Sequence, residues 1–150
     1  MFTGAGVIVL SCSNSVLLVQ QRAMLNYSFP KGHRCSATES PIACAIRETQ
    51  EETGLCFDRH QLHYAFRHNN YIYFYCYVHE SSLRAQACDV NEILNARFVD
   101  LNVLLYWKQL GLLTRPRDAA STTFITVNSA VFQWLSRIGR GLTSLPRPVV

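Results

Sequence analysis

The sequence predicts a single domain of the α/β or α+β class. Three stretches carry that expectation: two apolar runs around a polar turn near the N-terminus, a capped helix from Pro41 to Thr53, and a strictly alternating strand at 71–79. The 150 residues suit one domain, 49% of them hydrophobic and 16% charged. That is enough apolar material for a buried core, which excludes a disordered tail.

Residues 5–10 are β-branched and apolar, Ser11 to Ser15 form a polar turn, and VLLVQQR follows at 16–22. Two such runs around an Asn/Ser turn predict a β-hairpin. Residues 23–39, with Asn26, Pro30 and Gly32, read as one long loop, and long ordered loops usually serve function. Ser40 is placed to cap the helix, Pro41 suits its first turn and Gly54 its end. Ile42, Ala45, Ile46 and Thr49 recur at helical spacing as its buried stripe.

In 71–79, Ile72, Phe74, Cys76 and Val78 face one way and Tyr71, Tyr73, Tyr75 and Tyr77 the other. The tyrosine face either stacks a nucleobase or packs beneath a helix in a sheet covered on both sides. Residues 80–91 read as loop, 95–100 as a short strand, and 101–113 as a short helix ending near Gly111. A stripe of Phe124, Val127, Val131, Trp134, Leu135 and Ile138 predicts a helix over 124–138. The domain is expected to span 1–138, with 139–150 a flexible C-terminal tail.

The net charge of +4 and pI near 8.8 suit a phosphate-bearing substrate without demanding nucleic acid. None of the six cysteines forms a C-x-x-C pair or a Cys/His zinc spacing. Cys12, Cys44, Cys56 and Cys76 sit in or beside apolar runs and read as buried, reduced thiols; Cys35 reads as exposed. The pattern points to an intracellular, cytoplasmic protein. The run GVIVL lacks a basic leader and reads as a strand, and no stretch reaches the ~18 apolar residues of a membrane span.

The chemistry concentrates in Arg47-Glu48-Thr49-Gln50-Glu51-Glu52-Thr53-Gly54-Leu55. On a helix, Glu51 and Glu52 stand at i+3 and i+4 from Glu48, so the three carboxylates crowd one face near the negative end of the dipole. Such crowding raises carboxylate pKa values, and hard divalent cations relieve it. The alternative is a solvated acidic face.

Residues 32–55 resemble the Nudix box, G-x5-E-x7-R-E-U-x-E-E-x-G-U with U aliphatic: Gly32, Glu39, Arg47, Glu48, Glu51, Glu52, Gly54 and Leu55 stand at its fixed positions. There are two departures. Six residues, not five, separate Gly32 from Glu39, and Thr49 replaces an aliphatic residue. The resemblance implies an α/β/α sandwich around a central mixed β-sheet. It also implies a Mg²⁺- or Mn²⁺-dependent hydrolase of pyrophosphate linkages.

It assigns metal binding to Glu48, Glu51, Glu52 and a carbonyl near Lys31 or Gly32, a carboxylate-orienting role to Arg47, and a loop-orienting role to Glu39. Proton abstraction falls to Glu51, Glu52 or, from a loop after the box, Glu92. The extra residue either bulges outward or displaces the carbonyl ligand.

Phe29-Pro30-Lys31-Gly32-His33 resembles the approach to the box in diadenosine polyphosphate hydrolases, and a related F-P-K-G occurs in messenger-RNA decapping enzymes. Lys31, His33, Arg22, Arg67 and Tyr73 are therefore the candidate substrate contacts, with His68 a weaker one. The expected substrate is a dinucleoside polyphosphate or related nucleoside diphosphate derivative. The alternatives are an RNA 5′ end, as pyrophosphohydrolase or decapping-like substrate, and a catalytically weak module that binds nucleotide or RNA 5′ ends in a complex. Arg137, Arg140 and Arg147 add slight support for RNA.

Overall fold

The computed structural model describes residues 1–79, 88–114 and 125–140. The hairpin arms are β1 (Gly4–Ser11) and β2 (Ser15–Gln21), with Asn14 in the left-handed region at φ 65°. Asparagine tolerates that conformation, which explains its place in the turn. Every residue of β1 is buried because β1 is central. It pairs with β2 through Leu10 and Val16, antiparallel with β4 (Lys31–His33), and in parallel with β6 (Tyr71–Val78) along all eight residues.

The stretch 23–39 is not one loop: it contains β3 (Tyr27–Ser28) and β4, too short to show any periodicity. The helix α1 runs Pro41–Thr53 as expected, with Ser40 Oγ accepting from the Ala43 N–H at 3.2 Å. Such a cap contributes about 1 kcal/mol. After a single 3₁₀ turn at Arg59–Gln61 comes β5 (His63–His68), an edge strand that pairs antiparallel with β6. β7 (Ile93–Asp100) pairs antiparallel with β2, and α2 (Leu101–Gln109) follows it, capped by the Asp100 carboxylate.

Ile125–Thr126 form β9, parallel to β8 (Leu113–Thr114), so the last helix does not begin at 124. Asn128 Oδ1 accepts from the Ala130 N–H at 2.8 Å, and α3 runs Ser129–Arg140. Its stripe of Val131, Trp134, Leu135 and Ile138 is buried as read. Phe124 lies outside the described residues. The helix runs through Gly139 to Arg140, past the start of the expected tail, and 141–150 lie outside the described residues.

The sheet separates two cores. On one face Val7, Val9, Leu17 and Cys76 pack with Ala45 of α1 and with Leu55 and Phe57. On the other, Ile8, Leu10, Leu18, Tyr73 and Tyr75 pack with Leu104 of α2 and Trp134 and Leu135 of α3. The result is the expected α/β/α arrangement around a mixed sheet, and the tyrosine face of β6 is the inner face of the second layer. All six cysteines are free. Cys44 and Cys76 are buried, but Cys12 and Cys56 are exposed, contrary to the reading from their neighbours. Cys56 stands between buried Leu55 and Phe57, and alternation turns it outward. Among the described residues no helix is long and apolar enough to cross a membrane.

Candidate active site

The C-terminal half of α1 and strand β4 face each other across a cleft of about 500 Å³. Glu48, Glu51 and Glu52 line it from the helix, Lys31, Gly32 and His33 from β4, and Asp89, Asn91 and Glu92 from the segment before β7. Seven of the expected site residues therefore meet in one place: Lys31, Gly32, His33, Glu48, Glu51, Glu52 and Glu92.

Gly32 is there because nothing larger fits. A Cβ at this position would occupy the space of the Glu48 carboxylate. Gly54 serves the other end of the helix: its φ of 76° closes α1, and its N–H donates to the Gln50 carbonyl at 2.9 Å.

Arg47 organises the approach to this cleft. Its Nε and Nη2 donate to the two oxygens of Glu39 at 2.8 and 3.0 Å, a bidentate pair. Its Nη1 donates to Glu48 at 2.9 Å and to Glu51 at 3.2 Å, and Nη2 also reaches the His33 carbonyl at 2.8 Å. One guanidinium thus joins the loop to two of the cleft carboxylates.

Glu39 is held down to about 2, first by the Arg47 hydrogen bonds. It also accepts from the Cys35 N–H at 2.9 Å, and the Glu39 N–H closes a turn onto the Ser36 carbonyl. Strand β4 keeps its register with β1, Ala5 opposite Gly32 and Gly6 opposite Lys31.

The electrostatics deeper in the cleft are opposite. Glu52 is 4% exposed, and its Oε2 has no hydrogen-bond partner. Burial first, then the charges of Glu48 and Glu92, push it up to about 8, against the opposing pull of the Lys31 charge and backbone N–H. Burial also raises Glu48, partly offset by Arg47. Lys31 is lowered by its own burial, with Glu52 and Glu48 opposing that. Its Nζ lies 4.9 Å from the Tyr71 ring centroid, and the His33 ring packs against the same tyrosine at 5.9 Å.

An unpartnered buried carboxylate oxygen beside two further carboxylates fits a hard divalent cation, which takes oxygen ligands and lowers such pKa values. Among the described residues no three acidic, histidine or cysteine groups close a cage of their own. An open set is what Mg²⁺ asks for, since it keeps several waters and shares phosphate oxygens.

The other expected contacts lie elsewhere. Tyr73 is 2% exposed, stacked on Phe66 at 5.2 Å and edge-on to Phe29 at 5.5 Å, so its ring belongs to the core. Tyr71, two residues earlier on the same face, is the tyrosine that lines the cleft. Arg67 is engaged with the Met1 carbonyl and Asn70, and His68 with Ser129 at 3.0 Å. The Arg22 guanidinium is turned to the Val90 carbonyl, and Arg137 stacks on Phe66. Gln21, Tyr71, Asp89 and Asn91 line the cleft without having been singled out from the sequence. Only Tyr71 carried a signal, its place on the alternating face.

A family model described as NUDIX domain matches residues 2–119. No protein of curated function matches in sequence. Among solved structures, an Ap4A hydrolase from C. elegans in a binary complex is similar over 97% of this chain and 100% of its own, at 17% identity and a TM-score of 0.60. The NUDIX domain of NrtR from Shewanella oneidensis, complexed with ADP ribose, matches over 95% and 89%, at 12% identity and TM-score 0.66. A MutT/nudix family protein from Enterococcus faecalis matches over 65% of this chain at 19% identity and TM-score 0.54, and the chain spans only 43% of that protein.

Proposed function

The chain belongs to the NUDIX domain family, and from that premise we propose that it is a Mg²⁺-dependent pyrophosphohydrolase of a dinucleoside polyphosphate or a related nucleoside diphosphate derivative. One observation carries the reading: Glu52, buried at the cleft, keeps an oxygen with no protein partner while facing the charges of Glu48 and Glu92. A protein that used this helix only for structure would pair that oxygen or replace the residue.

Glu48 and Glu52, with Glu51 at the rim, would hold the cation. A divalent cation held there neutralises phosphate charge and lowers the pKa of the attacking water. Arg47 keeps Glu48 and Glu51 in place, and Glu39 keeps Arg47 in place. Glu92, from the segment before β7, lines the same cleft, which supports giving it the proton of the attacking water in this reading. Lys31 supplies positive charge and His33 a ring nitrogen for hydrogen bonding to the phosphate chain, and Tyr71 offers a ring edge for a base or ribose.

The preference for a dinucleoside polyphosphate rests on Phe29-Pro30-Lys31-Gly32-His33 and on the fold shared end to end with the C. elegans Ap4A hydrolase. The test is incubation of the purified protein with diadenosine tetraphosphate, a nucleoside diphosphate sugar and 5′-triphosphate RNA, each with Mg²⁺ and with EDTA. We expect Mg²⁺-dependent nucleotide release, fastest from diadenosine tetraphosphate and lost in Glu52→Gln. Faster release from triphosphate RNA would move the substrate to RNA 5′ ends. Binding without turnover on any of the three would make the domain a nucleotide-binding module.

A further inference from the structure

Arg22 has the charge of a phosphate ligand but not the placement. Its backbone N–H donates to the Glu92 carbonyl at 2.7 Å, and its Nε–H donates to the Val90 carbonyl at 3.1 Å. The short segment 88–92 that carries Glu92 is held from the other side by the Cys88 N–H, which donates to the Glu52 carbonyl at 3.1 Å. Between these holds, the Asp89 carbonyl accepts the N–H groups of Glu92 and Ile93 at 3.1 and 2.8 Å. The segment thus spans from the end of the carboxylate helix to the end of β2.

Strand pairing explains why a hold is needed at this point. In the β2–β7 ladder Gln20 stands opposite Asn95 but Gln21 opposite Ile93, so Leu94 is an extra residue. An insertion of one residue bends the strand and re-aims the side chains beyond it. Ile93 accordingly turns inward, 1% exposed, and Glu92 lines the cleft. Past this bulge the ladder ends at Gln21 and Ile93, and Arg22, the residue after β2, makes its two hydrogen bonds to the segment. The segment has little burial of its own, with Val90 63% exposed. Its placement therefore depends on hydrogen bonds more than on packing.

We propose that Arg22 is a positioning residue: by holding the Val90 carbonyl with its side-chain Nε–H, beside its own backbone bond to Glu92, it fixes segment 88–92 and sets Glu92 against Glu48 and Glu52. This rests on the pyrophosphohydrolase reading and adds to it the residue that aligns the proton acceptor.

Three substitutions separate this role from phosphate binding. Arg Nε and Gln Nε2 lie the same number of bonds from Cα, so Arg22→Gln keeps the donor to Val90 and removes the charge. Arg22→Lys keeps the charge and moves the nitrogen one bond further. Arg22→Met removes both. Each full-length variant is assayed for Mg²⁺-dependent hydrolysis of diadenosine tetraphosphate, for global unfolding midpoint, and for amide hydrogen exchange at 88–93 in EDTA.

The expected result for Arg22→Met is a kcat reduced about 10- to 100-fold with KM little changed, as for other residues that orient a metal-site group. Exchange at Glu92 and Ile93 becomes faster while the global midpoint holds. Arg22→Gln restores most of both. The proposal is overturned if Arg22→Gln is as impaired as Arg22→Met while Arg22→Lys behaves as the parent, or if exchange at 88–93 is the same in all four proteins. If the Met variant does not fold, the contrast between Gln and Lys decides. A parent protein that hydrolyses nothing would sink the hydrolase reading alone, because the exchange comparison does not require turnover.

Discussion

Glu39 and Glu52 are the same residue type near one helix, yet they live in opposite environments. Glu39 gives both oxygens to Arg47 and one also to a backbone N–H, and it is held down to about 2. Glu52 is buried with an oxygen that has no protein partner, and it is pushed up to about 8. Both stand at fixed positions of the same motif around one helix. The difference separates roles: a carboxylate whose lone pairs are filled by the protein holds the protein together, and one left unfilled beside other negative charges is kept for something from outside.

The strongest way to break that comparison is Glu52→Gln. Turnover should fall roughly 10²- to 10⁴-fold, the range for loss of a group that takes part in the proton and charge chemistry. The metal-free variant should nonetheless be more stable than its parent at pH 8, since it buries no carboxylate. A variant that loses stability as well as activity would make Glu52 a structural residue. Arg47→Ala tests the other side. It strands Glu39 and frees Glu48 and Glu51, and should cost about 2–3 kcal/mol of stability in urea unfolding, the scale of lost hydrogen bonds to charged groups. Arg47→Lys should recover only part of this, because an ammonium cannot form the bidentate pair.

The pH dependence sharpens the contrast without a mutation. Between the ordinary value of 4.5 and about 8, the unfolded chain has released the Glu52 proton and the folded protein still holds it. The folded state then binds more protons, so metal-free stability falls as pH rises through that window. For Glu39 the folded value is the lower one, about 2. Its contribution is fully present above 4.5 and is lost as pH falls toward 2. Urea midpoints measured in EDTA across pH should show both slopes, and Glu52→Gln should flatten only the upper one. The smallest effect belongs to Glu51→Gln. Its side chain is 52% exposed and shares Arg47 with two other carboxylates, so stability should change by less than about 1 kcal/mol.

Much of the site was legible because it lies on one regular element. Helical spacing alone brings Glu48, Glu51 and Glu52 to one face, and Ser40 and Gly54 mark the ends of the helix that carries them. The pairing of Arg47 with carboxylates of its own helix was also readable; its stronger bond to Glu39 across the loop was not graded by spacing. Depth was the harder quantity. Alternation says that Tyr71 and Tyr73 share a face, but only the position of α3 above the sheet says that Tyr73 is in the core and Tyr71 at the cleft. β5 escaped notice because its edge position leaves His63, Tyr64 and Arg67 exposed, which hides the apolar alternation. Asp89, Asn91 and Gln21 reach the cleft through a bulge and a short segment, and neither has a local signature.

The parallel pairing of β1 with β6 has a further consequence, in the order of events during synthesis. β1 is made well before β6, yet its eight parallel partners are Tyr71 to Val78. The whole carboxylate helix lies in the stretch between them. Contacts this far apart in sequence form slowly, because the chain must close the intervening loop before the ladder gives anything back. On a growing chain, α1 and its crowd of negative charges are therefore complete before β6 can join β1 beneath them, and the cleft is complete only after the later segment carrying Asp89, Asn91 and Glu92 has followed.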